Sequence, residues 1–338
     1  MSFDTPGLYT ATILVTAQDG EVGYASGTYR VPPPNPPSIN DVRWFAVGSA
    51  AGGMVSVYLG SSATPYIVGA PYPGFTGGVA VAWGDVLGDG LEDLVTVVAS
   101  GGPTQVDVFD GATFALRLSF YAFPTSYTGG ASVAVGDLDG YGRASIIVGQ
   151  STGGSCVAVY DGPTGALHTA FFAYPGAPVG VNVAAGDLNG DGKDEIVTGP
   201  TGLAPLVRAF DGSGNMLLNF FAFDPTVARV GVTVGVADLD GDPHGDILVG
   251  ANVNGANFVL TFNGDAALRN ILPLPPTSPP NSISPSGPPV AGADLTADAV
   301  VDLLVTVGPV LGAFGGRDLS LLTVIVPYPG YSGGLYVG

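Results

Sequence analysis

The chain has 338 residues, enough for one large domain or two ordinary ones, and its 54 Gly and 29 Pro favour turns over long helices. Nine Lys and Arg stand against 28 Asp and Glu, a formal net charge of −19, which argues against nucleic acid or anionic membrane as partners because both need basic patches. A hydrophobic content of 46% is too high for a disordered acidic chain, and no apolar run reaches the length of a membrane span.

Residues 1–31 begin with MSFDTPGLYT, which lacks the basic-then-apolar pattern of a signal peptide. LYTATILVT and VGYASGTYRV read as two strands around an AQDGE turn. An isolated hairpin is marginal in water. This one is therefore expected to be the tail of a preceding Ig-like or sandwich domain, or a hairpin packed on the main body. PPPNPP follows within a stiff proline-rich linker over residues 32–41.

From residue 42 to 338 the chain repeats itself. GDVLGDGLEDLV, GDLDGYGRASIIV, GDLNGDGKDEIV, ADLDGDPHGDILV and ADLTADAVVDLLV carry equivalent acids at Asp85, Asp137, Asp187, Asp238 and Asp294, spaced 52, 50, 51 and 56 residues apart. Around each lies the same series: a small-residue strand such as GGVAVAWG, the acidic loop, a β-branched strand, a GG-rich turn, a strand ending in VFDG or VYDG, and an apolar outer strand such as LSFYAF. The Asp-Gly and Asn-Gly pairs are hairpin signals, because tight turns want positive φ there. Four strands in about fifty residues, with no helical periodicity, predict a β-propeller blade.

Both chain ends fit one ring. RWFAVGSAAGGMVSVYLG and PYIVGAPYPGF supply strands two to four of a first blade that lacks its own first strand. The final PYPGYSGGLYVG matches the earlier PYPGFTGGVAVAWG and supplies a first strand without a blade. The prediction is an all-β, six-bladed propeller closed by its C-terminal strand, with the short hairpin ahead of it. Closure also removes exposed sheet edges.

These loops and strands resemble the FG-GAP/VCBS repeats of integrin-like propellers, most closely the bacterial branch in large secreted or surface proteins. GDLNGDGKDEIVTG is the most typical stretch. The resemblance implies a secreted or cell-surface location, calcium in the acidic loops, a binding or adhesive role, and a place in a larger multidomain chain.

The loops themselves put oxygen donors at positions 1, 3, 5 and 9 with a backbone carbonyl at 7, a layout that suits the flexible six-to-eight-oxygen shell of calcium. Asp187, Asn189, Asp191 and Glu195 fill the side-chain positions of one loop, with the carbonyl of Lys193; Asp238, Asp240, Asp242 and Asp246 fill the next, with His244. Asp294, Thr296, Asp298 and Asp302, with Val300, are nearly complete, whereas Asp85, Asp89 and Asp93, with Leu91, lose position 3 to Leu87. Tyr141 and Ser145 spoil the loop of Asp137 and Asp139, and Pro36, Ser38, Asn40 and Trp44 leave the first blade without a site. Two to four structural Ca2+ ions are expected. The plainer reading is that the acids cap turns through Asx-type hydrogen bonds. Seventeen of the 28 acids lie in these five nine-residue windows, so the acidity is a property of the loops.

No catalytic constellation is found: no GxSxG elbow, HExxH helix or phosphate-binding loop occurs. His168 opens an outer strand, and His244 and Lys193 share a loop position with Arg143 and Leu91. Cys156, the sole cysteine, reads as a small apolar residue. The recurring aromatics, Phe120 and Tyr121 through Phe220 and Phe221, read as inter-blade packing, with Tyr72, Tyr328 and Tyr331 as a possible glycan platform. The function expected is a noncatalytic module that binds an unknown protein or glycan, or spaces other domains. The alternative is a polysaccharide lyase-like enzyme with a site at the propeller axis. The proline-rich insert at residues 273–289 departs from every other blade.

Overall fold

The computed structural model describes residues 7–16, 22–31, 44–226, 230–274, 287–296, 298 and 300–338, with side chains from residue 44 onward. The linker, the first-blade positions 36–40 and most of the proline-rich insert lie outside the described residues. Gly7–Thr16 and Val22–Val31 pair as an antiparallel hairpin, from Gly7 opposite Val31 to Thr16 opposite Val22.

The remaining strands form six antiparallel sheets of four strands each, every one in sequence order from inside to outside except the first. Blade one is Trp44–Ser49, Val55–Leu59 and Ile67–Gly69, with the C-terminal Leu335–Val337 as its innermost strand. Leu335 lies opposite Ser49 and Val337 opposite Val47, which closes the ring as the chain ends predict. Blades two to six start with the inner strands Gly78–Gly84, Ala131–Gly136, Val181–Gly186, Thr233–Ala237 and Val290–Ala293. Among the described residues no helix occurs.

The sequence pattern follows from where each strand sits. Second strands such as Glu195–Pro200 are buried at every residue, because both faces of a blade are covered by its neighbours. Outer strands such as Met216–Phe221 alternate between exposed and half-buried side chains, because they lie on the rim. The core is accordingly not one cluster but six, one at each seam between adjacent blades. A fully buried isoleucine such as Ile146 or Ile196 contributes roughly 1.5–3 kcal/mol to its seam.

The recurring aromatics divide into two roles. Phe120 packs on Tyr160, Phe171 on Phe210 and Phe220 on Phe262, each across a seam with ring centroids 4.8–5.0 Å apart. Their neighbours Tyr121, Phe172 and Phe221 are instead half or more exposed on the rim, because successive strand residues point to opposite faces.

The Asp-Gly and Asn-Gly pairs lie in the turns between paired third and fourth strands, as hairpin signals should, but their glycines do not take the expected positive φ. Positive φ falls later in each turn, at Phe114 (54°), Gly165 (65°), Gly214 (84°), Ala266 (69°) and Leu319 (54°), and not on the glycine of the pair. That glycine is needed for close approach. A Cβ on Gly111 would lie 1.8 Å from the Glu92 carbonyl oxygen, and one on Gly264 would lie 2.0 Å from that of Leu188. The third-to-fourth turn thus rests directly on an acidic loop.

Candidate metal loops and axial channel

Each acidic loop joins the inner strand of a blade to its second strand, so all five lie at one end of the propeller. Loops two to six are named here for their blades. Position 1 organises the turn. Asp187 accepts from the backbone N–H groups of Gly190 (2.7 Å, Oδ1) and Gly192 (2.8 Å, Oδ2), and Asp85 and Asp137 repeat the pattern with Gly88 and Gly90, and with Gly140 and Gly142. Positions 3 and 5 each accept from the N–H two residues on, as in Asn189 with Asp191 (3.0 Å) and Asp242 with His244 (2.7 Å). The Asx reading is therefore correct for these bonds, and it holds the side chains in the odd-position register.

Position 9 is of another kind. Asp93, Glu195, Asp246 and Asp302 open the second strands and are nearly fully buried. Each spends one carboxylate oxygen on a loop N–H: Leu87 (2.9 Å), Leu188 (2.8 Å), Leu239 (3.1 Å) and Leu295 (2.9 Å), respectively. Burial raises the pKa of all four carboxyl groups from the ordinary value. Asp93 and Asp302 also accept with their second oxygens, from the Gly111 and Gly316 N–H groups, so backbone donors offset part of the cost of burying these charges.

The loops are tied into one rim. The N–H at position 8 of each loop donates to the position 1 carbonyl of the preceding blade: Ala144 to Asp85 (2.8 Å), Asp194 to Asp137 (2.8 Å), Gly245 to Asp187 (2.6 Å) and Val301 to Asp238 (3.0 Å). Position 7 side chains lean the same way, with Arg143 over Gly88, Lys193 over Gly140 and His244 over Gly190. Asp194 itself accepts from the Asp137 N–H at 2.7 Å; burial, with the charges of Asp137 and Asp187, pushes its carboxyl up to about 6.

In loop four Asp187, Asn189 and Asp191 are linked by side-chain-to-backbone hydrogen bonds and Asn189 Nδ2 donates to Glu195 Oε1 at 2.8 Å, but among the described residues its acids do not bring three carboxylate oxygens within 4.8 Å of one another. Among the described residues no basic side chain pairs with its acids. In loop five Asp238, Asp240 and Asp242 place one oxygen each within 4.8 Å of one another, but Arg269 pairs with both Asp240 (2.9 Å) and the buried Asp246. That arginine escapes a loop-window reading because it lies on the outer strand. In loop six Asp298 accepts from the Val300 N–H and Asp302 from that of Leu295, with Val300 buried and Thr296 exposed. Loop two holds Asp85, Asp89 and Asp93, with Leu91 donating its N–H to Asp89. In loop three Tyr141 is 86% exposed. A cavity of about 500 Å3 opens between loops four and five, lined by Asn189, Glu195, Asp242, His244, Asp246 and Leu217.

In blade one the place of the position 9 acid is taken by Trp44, stacked on Trp83 at 6.2 Å and edge-on to Tyr66 and Phe114. The axis itself is a channel of about 330 Å3, walled by small apolar residues of the six inner strands, such as Val81, Val133, Val183, Val234, Val290 and Val337. Among the described residues that line it, Glu92 and Asp294 carry the ionisable side chains.

Of the three tyrosines offered as a glycan platform, Tyr72 is buried and Tyr328 and Tyr331 are half-buried, and all three use their hydroxyls within the fold. Tyr72 is buried, its hydroxyl bonded to Thr96 (2.9 Å) and donating to the Gln105 carbonyl; Tyr328 donates to the Val47 carbonyl, and Tyr331 to that of Gly334. They bolt blades together. Cys156 is half-buried and His168 exposed on the rim, in keeping with structural roles.

Among protein families, the FG-GAP repeat matches residues 179–202, which span the inner strand, acidic loop and second strand of blade four. None of the curated proteins matches the chain. The chain is similar to the solved Dos1 propeller (12% identity, TM-score 0.47, covering 96% of this chain and 79% of that one) and to Saccharomyces cerevisiae Sqt1 (14%, 0.46, 83% and 72%). It is also similar to BBS1N, solved in complex with ARL6DN (14%, 0.47, 97% and 94%). With six four-stranded blades closed in a ring, this chain is an all-β propeller that carries an FG-GAP repeat in blade four.

Proposed function

We propose that the protein is a noncatalytic, calcium-binding propeller module of a secreted or cell-surface protein, and that it binds a protein partner. The reading rests on loop four, where Asp187, Asn189, Asp191 and the buried Glu195 keep the odd-position pattern, Leu188 and Asn189 donate to the Glu195 carboxylate, and no basic side chain pairs with these acids among the described residues. Calcium there would link the inner and second strands of the blade. Loops two and six, with Asp85, Asp89, Asp93 and with Asp294, Asp298, Asp302, are weaker sites of the same kind. The metal stabilises the folded ring by binding it in preference to the unfolded chain.

A protein partner is favoured over a glycan because Tyr72, Tyr328 and Tyr331 spend their hydroxyls inside the fold, while Tyr121, Phe172 and Phe221 stand out on three successive blades. The lyase-like alternative receives less weight because, among the described residues, the axial wall is mostly apolar and Glu92 and Asp294 carry its ionisable side chains. The test is calorimetric titration of the chelator-treated chain with calcium, repeated on Asp187→Asn. Binding that the substitution removes supports the reading. Absence of calcium binding in the unaltered chain refutes the metal assignment.

A further inference from the structure

Arg269 stands on the outer strand Leu268–Leu274, on the same blade as loop five but outside its nine residues. Its Nη1 donates to Asp246 Oδ2, and its Nη2 lies 2.9 Å from Asp240 Oδ2. One guanidinium therefore ties position 3 to position 9. A rigid planar fork is suited to bridging two carboxylates in this way. The same Asp246 oxygen also accepts from the Leu239 N–H, so it is already committed twice. Two more cationic or ionisable groups crowd the loop: His244 Nδ1 is 3.4 Å from Asp242, and the Arg317 guanidinium lies over Gly241.

The reason Arg269 turns inward is also visible. In blade two the residue at the same register shift is Arg117, which reaches Asp110, just after the third strand, at 3.4 Å. Blade five has Asn263 at the position of Asp110, so the nearest carboxylates for Arg269 are those of the loop.

We infer that loop five carries its own cation: Arg269 is the counter-ion that closes it, in the place a divalent metal would take, and the loop is metal-independent. Calcium would need the Asp240 and Asp246 oxygens that the guanidinium holds. Only the contrast with loop four rests on the proposed calcium reading; the role of Arg269 stands on its own contacts.

The test uses the full chain with calcium bound at equilibrium and counted by elemental analysis, and thermal melts in chelator. Asp238→Asn leaves the calcium count unchanged, whereas Asp187→Asn lowers it by one. In chelator, Arg269→Met lowers the melting midpoint by about 5 °C, as expected for stranding a buried carboxylate, and added calcium restores it. A calcium count that falls by one in Asp238→Asn overturns the proposal, as does an Arg269→Met midpoint unchanged in chelator. If the unaltered chain binds no calcium, the metal reading of loop four fails, and the chelator melt of Arg269→Met alone decides the role of Arg269.

Discussion

Blades four and five are consecutive, carry nearly the same acidic loop, and solve the same electrostatic problem in different ways. Each buries a position 9 carboxylate, Glu195 or Asp246, at the start of its second strand. Blade five answers that charge from within, through Arg269. Blade four has no such answer among the described residues and adds a further, half-buried acid, Asp194, where blade five has Gly245. Equal spacing of acids in sequence thus does not mean equal pairing with basic side chains in the fold.

The largest expected effect separates the two blades by metal. Calcium at a thousandfold excess over its Kd stabilises the chain by about 4 kcal/mol per site, and Asp187→Asn removes this while Asp238→Asn does not; melts with calcium and with chelator measure it. Next, Asp246→Ala strands Arg269, which is only partly exposed, and costs about 2–3 kcal/mol whether or not calcium is present. Glu195→Ala, by contrast, costs stability mainly by abolishing the response to calcium. Denaturant titrations of both variants, in calcium and in chelator, would break the comparison if the two behaved alike.

A pH effect follows from Asp194. Its folded-state pKa of about 6 lies above the unfolded value of 3.8, so the folded chain holds the proton more tightly. Stability in chelator therefore falls as pH rises from near 4 to near 6, by an amount on the order of 2 kcal/mol, and stays low above that window. Asp194→Asn flattens the slope; an unchanged pH profile in that variant would show that another group carries it.

The smallest effect concerns the seams. Tyr174, which closes blade three, donates to the Thr198 and Leu206 carbonyl oxygens and meets the Thr198 hydroxyl at 3.1 Å. One blade later, Phe223 and Val249 share a seam with no hydroxyl on either. Thr198→Val is expected to cost about 1 kcal/mol alone and less in the Tyr174→Phe background, which a double-mutant cycle measures.

The ring was readable because each of its signals is local. The repeat spacing, the small-residue inner strands and the surplus C-terminal strand name the blade order and its closure, and Leu335–Val337 pairs beside Trp44–Ser49 accordingly. The acid positions were equally plain. What local sequence does not convey is contact between strands: the glycine of the Asp-Gly turn answers to Glu92 at Gly111 and takes no positive φ, and the Tyr72 hydroxyl answers to Thr96. Asn263 replacing Asp110 was the one visible hint that Arg269 would turn to the loop.

What the chain determined by itself is periodic: six blades, five acidic loops at one end, and apolar strands wherever both faces are covered. These depend on residue type at fixed spacing, which the backbone converts into alternating faces and tight turns. Only the tertiary structure decided which acids meet a cation of the chain's own. A guanidinium on the outer strand reaches the loop because folding stacks the blade's strands side by side, and charges interact through space regardless of how far apart they stand in sequence.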